Sequence, residues 1–155
     1  MVDDSLPKVT RGTGLIEREA LLERLQHSAD VPVVGVRAGA GFGKTTLAAQ
    51  GTPARTTDAE PGFSALLLPA MTRLAASRER DFVLVIDDIQ LLTRRECHEL
   101  LRAIAEGVPE GSQVALLSRL EPPPWLARTR AEGRMFELGA ACLAFDDAES
   151  WRLLA

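Results

Sequence analysis

A chain of 155 residues, 46% of them hydrophobic, is long enough for one domain with a buried core. The net charge of -4 argues against direct DNA binding, because nucleic-acid-binding domains of this size are usually basic. Cys97, Cys142, His27 and His98 show neither a metal-site spacing nor a disulfide framework, so we expect the cysteines to be small core residues. The sequence has no signal-peptide pattern and no apolar run of the ~20 residues that cross a bilayer, which predicts a cytoplasmic protein without a membrane partner.

The first half of the chain predicts a helix, a buried strand and a second helix. Residues 17–28 place leucines at helical spacing, and the β-branched run 31–36 has the length of one buried strand. A glycine-rich turn follows, and a helix begins at Lys44. Residues 51–62 contain two prolines and no large apolar residue, so we expect a loop and no sheet strand there. The next stretch, 63–79, predicts a helix whose proline marks either its start or a kink.

The second half alternates three more strands with helices. The strands are predicted over 82–87, 113–117 and 135–138. Thr93 and Glu96 form a T-x-x-E pattern that predicts a capped helix start, and a shorter helix is predicted over roughly 124–132. Asp146 and Glu149 are expected to cap a last helix. Strands that alternate with helices predict an α/β fold with a mostly parallel sheet of about four strands and helices on both faces.

The expected loop over 51–62 has a consequence for the sheet. Without a strand there, the run 82–87 becomes a sheet edge. This edge is apolar and unprotected, so self-association through it is expected as a risk. We divide the chain into a lead segment, 1–16, a core, 17–145, and residues 146–155 as the truncated start of a lid helix.

The central motif is a glycine-rich turn between a strand and a helix. It reads Ala38, Gly39, Ala40, Gly41, Phe42, Gly43, Lys44, Thr45 and Thr46. This is the phosphate-loop pattern GxxxxGK[ST], except that alanine stands at the first position. Small residues let backbone N–H groups wrap around the phosphates of ATP or GTP, and the helix N-terminus adds its dipole. Lys44 is expected to reach the β- and γ-phosphates, and Thr45 to offer its hydroxyl to magnesium. A turn that binds nothing is the less favoured alternative.

Two acids and an arginine follow the next strands. Asp87 ends the apolar run 82–87 and Asp88 follows it, at the place where a carboxylate is needed to hold magnesium beside a phosphate loop. We expect Asp87 to bind magnesium through water and Asp88 to orient the attacking water; the alternative for Asp88 is a solvated turn residue or a helix cap. Arg119 ends the next strand, so we expect it to contact the γ-phosphate and sense its loss. An ordinary surface arginine is the alternative.

The order of these motifs resembles the ATPase domain of the large LuxR-family transcriptional regulators of the maltose-activator type, which belong to the STAND class of P-loop NTPases. The resemblance rests on the segments LIEREALLERL, RAGAGFGKTTLAAQ, VLVIDDIQLL, VALLSRLEPPPWLARTRAEGRMFEL and LAFDDAES. It implies a P-loop NTPase three-layer sandwich, ATP rather than GTP, Asp87 at magnesium, and Arg119 as the sensor arginine. Leu15 and Ile16 would lie near the adenine. It also implies a switch that is closed with ADP and that opens and self-assembles with ATP and an inducer.

This sequence departs from that family at several places, and the strand that usually follows the first helix is expected to be absent, with residues 51–62 in its place. The stretch between Lys44 and Asp87 is unusually short, and Gln90 stands where relatives often have histidine. The sequence nevertheless predicts an ATP- and Mg²⁺-binding switch module with slow hydrolysis. An inactive nucleotide-binding remnant or a protein-interaction module is the alternative. A small nucleotide kinase is a third, with Arg128 and Arg130 as its only clustered lid arginines. We expect no direct nucleic-acid binding by this chain and, with an incomplete lid, fast exchange of bound ADP.

Overall fold

A parallel sheet forms the frame of the molecule. The computed structural model describes residues 18–51, 55–58 and 81–154. Within these residues the strands are β1 Val33–Arg37, β2 Arg55–Asp58, β3 Val83–Asp87, β4 Gln113–Ser118 and β5 Met135–Leu138. Their order in the sheet is β2-β3-β4-β1-β5, and every neighbouring pair is parallel.

Helices cover both faces of this sheet. They are α1 Glu19–His27, α2 Lys44–Gly51, α3 Arg95–Glu106, α4 Leu126–Ala131, α5 Ala140–Leu143 and α6 Asp147–Leu154, and a 3₁₀ turn spans Ile89–Leu91. The connection from β1 leads to β2 at one edge of the sheet. The connections from β3 to β4 and from β4 to β5 lead in the opposite direction. Because parallel crossovers are right-handed, α2 lies on one face and α3 and α4 lie on the other.

Two apolar clusters fill the space between the sheet and the helices. On one face Leu21 of α1 and Leu47 of α2 pack against Val34 of β1. On the other face Leu101 of α3 and Leu126 of α4 belong to a second cluster, which contains Val33 of the same strand. Strand β1 is therefore buried on both faces, which explains why its sequence reads as a continuous apolar run instead of an alternating one.

The prediction that residues 51–62 contain no strand was wrong. Arg55–Asp58 forms β2 and pairs in parallel with β3. An edge strand needs a backbone ladder on one side only, and β-branched residues such as Thr56 and Thr57 suit it without any large apolar side chain. Because β3 now lies between β2 and β4, the run 82–87 is not a sheet edge. The expected self-association through that edge therefore loses its basis.

The other predicted strands are confirmed, with boundaries within two residues of those expected. The short helix predicted over 124–132 is α4, and Gly133, with φ of 69°, follows its end. The lead segment 1–16 and the helix expected over 63–79 lie outside the described residues. Cys97 and Cys142 are free, half-buried and packed against the two apolar clusters, as expected for small core residues.

Only one of the two predicted capping boxes forms. Helix α3 begins after Arg94 without a side-chain cap, so the Thr93 and Glu96 pattern was wrong. At the start of α6, by contrast, the Glu149 amide donates to Asp146 Oδ1 at 2.7 Å, and the Asp146 amide donates to Glu149 Oε2 at 3.1 Å. This reciprocal pair confirms the predicted cap and fixes the first turn of α6.

The two tryptophans lie in different environments. Trp151 lies in α6 and is 74% exposed. Trp125, just before α4, packs against the apolar cluster under α3, and its Nε1 donates to Nδ1 of His98 at 3.4 Å. None of the helices in the described residues is both long enough and apolar enough to cross a membrane.

Candidate functional site

The predicted site residues meet at one edge of the sheet. The carboxyl ends of β1, β3 and β4 are adjacent, and the chain leaves them at Ala38, Asp88 and Arg119. The crossovers that leave β1 and β4 turn to opposite faces, so a crevice opens between these two strands. Open α/β sheets bind their ligands at such a topological switch point.

The turn after β1 has the geometry of an anion-binding loop. Gly41 and Gly43 have φ of 81° and 73°, in the left-handed region that favours glycine. Helix α2 then starts at Lys44, and the Leu47 amide donates to the Gly43 carbonyl at 2.8 Å. The first N–H groups of this helix have no partner within the helix and carry its positive end. Because α2 begins directly after the loop, this end lies at the crevice.

Ala38, the departure from the phosphate-loop pattern, has a structural explanation. Asp88 is the only non-glycine residue with positive φ in the described part of the chain, so Ala38 needs no glycine conformation. Its methyl group is 3% exposed and packs in the cluster that contains Leu47. Its amide donates to the Ser118 carbonyl at 3.1 Å, which joins the start of the loop to β4.

Replacing Gly41 tests the conformation of this loop. No atom lies within 4 Å of a Cβ built at Gly41, so Gly41→Ala is strained only by its φ of 81°. We expect it to lower the free energy of unfolding by about 1–2 kcal/mol. Gly39→Ala is the matched control, because its Cβ would meet only the Phe42 ring at an ordinary 3.6 Å. Urea denaturation measures both variants, and equal losses would contradict the left-handed loop.

The Lys44 side chain folds back along the loop. It is 7% exposed, and Nζ donates to the carbonyls of Ala38 and Gly39, each at 2.9 Å. These neutral acceptors hold a full positive charge within the phosphate loop. Phosphate oxygens would be stronger partners for it than carbonyls, because hydrogen bonds between two charged groups are stronger.

Thr45 and Asp87 bring two oxygen donors together. Thr45 Oγ1 donates to Asp87 Oδ2, and the Asp88 amide donates to Asp87 Oδ1 at 2.7 Å. Asp87 is only 6% exposed. The two hydrogen bonds hold its buried carboxylate in place. The described residues contain no group of three or more metal-ligating side chains. This pair nevertheless fits Mg²⁺, which takes one or two protein oxygens and completes its shell with water and phosphate.

Asp88, Gln90 and Arg119 form a polar network between the ends of β3 and β4. Asp88 Oδ1 accepts from Gln90 Nε2 at 2.7 Å and lies 3.3 Å from Arg119 Nε. Gln90 Oε1 accepts from the Arg119 amide at 3.1 Å and from Ser118 Oγ at 3.3 Å. Asp88 itself adopts φ of 52°, a left-handed conformation that persists at functional sites when its surroundings enforce it. It starts the 3₁₀ turn without a side-chain capping bond, which leaves its carboxylate to the network.

Gln90 is the residue that sequence reasoning missed. The sequence singled it out only as a departure from histidine, not as a member of the site. Among the described side chains, its amide group joins Asp88 to Ser118 at the end of β4 and to Arg119 after it through hydrogen bonds. The feature of the sequence that could have indicated its role is its position two residues after Asp88, where a tight turn brings it back toward the sheet edge.

The remaining predicted residues lie elsewhere. Arg128 and Arg130 are on α4, where they pair with Glu132 and Glu137. The hydrogen bond to Glu132 raises the pKa of Arg128 above its ordinary value. Because both pairs are exposed and exposed pairs contribute little, they do not test the nucleotide-kinase alternative. Leu15 and Ile16, expected near the adenine, lie outside the described residues.

This fold defines the class of protein. A parallel sheet of this order, with a glycine-rich loop between β1 and a helix and an acid at the end of β3, has the P-loop NTPase fold. Solved structures agree: a STAND protein with a tetratricopeptide repeat sensor from Pyrococcus horikoshii superposes with a TM-score of 0.62 and 16% identity, over 92% of this chain and 25% of that one. PCH-2 of C. elegans superposes with a TM-score of 0.60 and 15% identity, over 81% of this chain and 44% of its own.

Sequence relatives confirm the resemblance to maltose-activator-type regulators. The chain is 27% identical to the HTH-type transcriptional regulator MalT of Serratia proteamaculans and 29% identical to that of Vibrio campbellii, in each case over 97% of this chain and 21% of the relative. The chain therefore spans about a fifth of the length of these relatives. The first alignment extends over 190 positions, more than the 155 residues present, so the relative has segments without a counterpart here. No protein-family model matches the chain.

Proposed function

We propose that this chain is the ATP- and Mg²⁺-binding module of a cytoplasmic signalling switch that hydrolyses ATP slowly. The observation that carries this proposal is the convergence of three charged or polar groups at the switch point of the sheet. They are the buried ammonium of Lys44, the Thr45–Asp87 oxygen pair, and the Asp88–Gln90–Arg119 network.

Each group has a distinct role in this proposal. The backbone N–H groups of residues 39–46 and the Lys44 ammonium bind the phosphates. Thr45 and Asp87 hold Mg²⁺, which when bound neutralises charge on the phosphate oxygens. Arg119 contacts the γ-phosphate. A change in its position then alters the contact of its amide with Gln90 and that of its side chain with Asp88.

The same network explains why hydrolysis would be slow. The Asp88 carboxylate is expected to orient the attacking water, yet its Oδ1 already accepts from Gln90 and faces Arg119. These contacts occupy the carboxylate oxygen that would otherwise accept a hydrogen bond from the water. Turnover then requires the γ-phosphate to draw Arg119 away from Asp88, so the ATP-bound state persists before it is hydrolysed.

The regulatory part of the proposal rests on the relatives. The matched MalT proteins are transcriptional regulators, and this chain resembles about a fifth of them. We propose that residues 17–145 supply the nucleotide-dependent step of such a switch, with 1–16 as its lead segment and 146–155 as the start of its lid. Any contact with DNA would then be made by other parts of the regulator and not by this acidic chain.

Titration with fluorescent ATP and GTP analogues, with and without Mg²⁺, tests the proposal. We expect saturable binding that Mg²⁺ strengthens and that favours the ATP analogue, together with slow release of inorganic phosphate. Binding without any phosphate release would favour the inactive remnant instead. Absence of binding to either analogue would remove the proposed function.

Asp88→Asn should lower the turnover rate more than the affinity for ATP. A carboxylate that positions water acts on the transition state and contributes little to ground-state binding. Single-turnover phosphate release measures the rate, and the analogue titration measures the affinity. Asp30→Asn, an exposed carboxylate in the turn after α1, is the matched control and should change neither quantity. Equal losses of affinity and rate in Asp88→Asn would exclude the water-positioning role.

A further inference from the structure

A buried arginine connects the beginning of the described chain to its end. Arg18, just before α1, is 6% exposed. Its Nε and Nη2 donate to the two carboxylate oxygens of Glu149 at 3.1 and 3.2 Å. Nη1 donates to the Leu143 carbonyl at 2.6 Å and Nη2 to the Ala144 carbonyl at 3.0 Å. The guanidinium also lies 4.8 Å from the centre of the Phe145 ring.

This ion pair differs from the other ion pairs of the described residues. The side chains of Arg18 and Glu149 are 7% and 11% exposed, whereas both partners of every other pair are at least 34% exposed. Glu149 also accepts from the Asp146 amide in the cap of α6. Exposed pairs contribute little, but the loss of one partner of a buried pair leaves an uncompensated charge. The position of α6 therefore depends on Arg18.

The segments that Arg18 joins share an apolar cluster with residues on both sides of the phosphate loop. Leu21 of α1 and Leu143 of α5 belong to the same apolar cluster as Ala38 and Leu47, the residues before and after the phosphate-binding turn. Strand β5, which leads into α5, lies directly beside β1, which leads into the loop. The Arg18 contacts thus fix the chain on the β5 side of the site.

We propose that Arg18 and Glu149 form a clasp that positions α6 beside the nucleotide and controls how fast nucleotide is released. The inference rests on the proposed function, because it takes ATP or ADP as the ligand. Arg18 is a positioning residue in this account and does not contact the nucleotide. While the clasp is closed, α5 and the start of α6 form a fixed wall of the site. When the clasp opens, the first turn of α6 loses part of its cap, and α5 and the start of α6 can move away from the site.

The contacts also specify which substitutions open the clasp. Lysine at position 18 keeps the charge but cannot reproduce the fork to Glu149 together with two carbonyl bonds. Exchanging the two charges cannot restore the clasp, because a carboxylate at position 18 has no proton for the Leu143 and Ala144 carbonyls. Glutamine at position 149 keeps the shape, but it removes the charge and replaces one of the two acceptor oxygens with an NH2 donor.

Hydrogen exchange and nucleotide release together test the clasp on the full chain. In Arg18→Lys and Glu149→Gln we expect the amides of α6 to exchange about tenfold faster, while those of β1 and β4 keep their protection. A fluorescent ATP analogue, chased with excess ATP, should dissociate about tenfold faster, with little change in its association rate. Arg95→Lys and Glu99→Gln are the matched controls, because this pair is exposed on α3, and neither should change exchange or release.

The outcomes separate the clasp from the proposed function. Unchanged protection of α6 in both variants would show that Arg18 does not hold this helix. Faster exchange with unchanged release would reduce the clasp to a purely structural contact and overturn the inference. Loss of protection in β1 and β4 in both variants would mean that the pair stabilises the whole fold, which also overturns it. Failure of the parent chain to bind the analogue would count against the proposed function and its release step, and hydrogen exchange would still report whether Arg18 holds α6.

Discussion

Lys44→Ala is expected to weaken binding of MgATP by at least about tenfold, or ~1.4 kcal/mol. The Lys44 ammonium is almost fully buried in the phosphate loop and currently shares its protons with two neutral carbonyls. In the proposed complex it faces the charge of two phosphates in a site with little water, where charge-assisted bonds are strongest. Titration with the fluorescent analogue measures the change directly.

Two further variants isolate the cause. Lys44→Arg retains the charge, but a planar guanidinium differs in shape and reach from the compact ammonium that donates to the Ala38 and Gly39 carbonyls, so we expect it to restore little affinity. Lys8→Ala removes the other lysine of the sequence and should leave affinity unchanged. If Lys44→Ala bound as tightly as the parent, the assignment of the phosphate loop would fail.

Asp87→Asn is expected to abolish the magnesium dependence of binding and to lower hydrolysis by at least about a hundredfold. The Asp87 carboxylate is the only buried acid at the carboxyl end of β3 in the described structure, and it faces the Thr45 hydroxyl. An amide of the same shape can still accept from the Asp88 amide, so we expect the fold to survive. Binding measured with Mg²⁺ and with a chelator separates loss of the metal from loss of the nucleotide.

Thr45 supplies the matched comparison for this prediction. Thr45→Ser keeps the hydroxyl that contacts Asp87 and should retain most of the magnesium effect. Thr45→Val keeps the shape, removes the hydroxyl and should behave like Asp87→Asn. A full magnesium effect in both Thr45→Val and Asp87→Asn would place the metal elsewhere.

Much of the fold was predictable because it depends on local patterns. Strands β1, β3 and β4 are buried runs of apolar residues, and the small residues around Gly41 and Gly43 mark the turn that needs left-handed conformations. The contact between Thr45 and Asp87 followed from the rule that parallel strands end at the same edge of a sheet. The roles proposed for these residues stay predictions.

Other features depend on pairing that no local pattern encodes. Strand β2 is four residues long and gains its order from the ladder with β3, so its polar sequence resembled a loop. Helix α3 begins at Arg95, beyond the capping pattern at Thr93, because its apolar face and not its cap decides where it packs. Arg18 and Glu149 are 131 residues apart, and nothing in the sequence near either residue indicates the other.

The tryptophans give this molecule a built-in optical probe. The sequence has two tryptophans and no tyrosine, so its near-ultraviolet emission reports on two places only. Trp151, 74% exposed on α6, should emit at the long wavelength of an indole in water, and Trp125 at a shorter one. In a Trp125→Phe background, a blue shift on adding nucleotide or a partner protein would show directly that α6 has become covered.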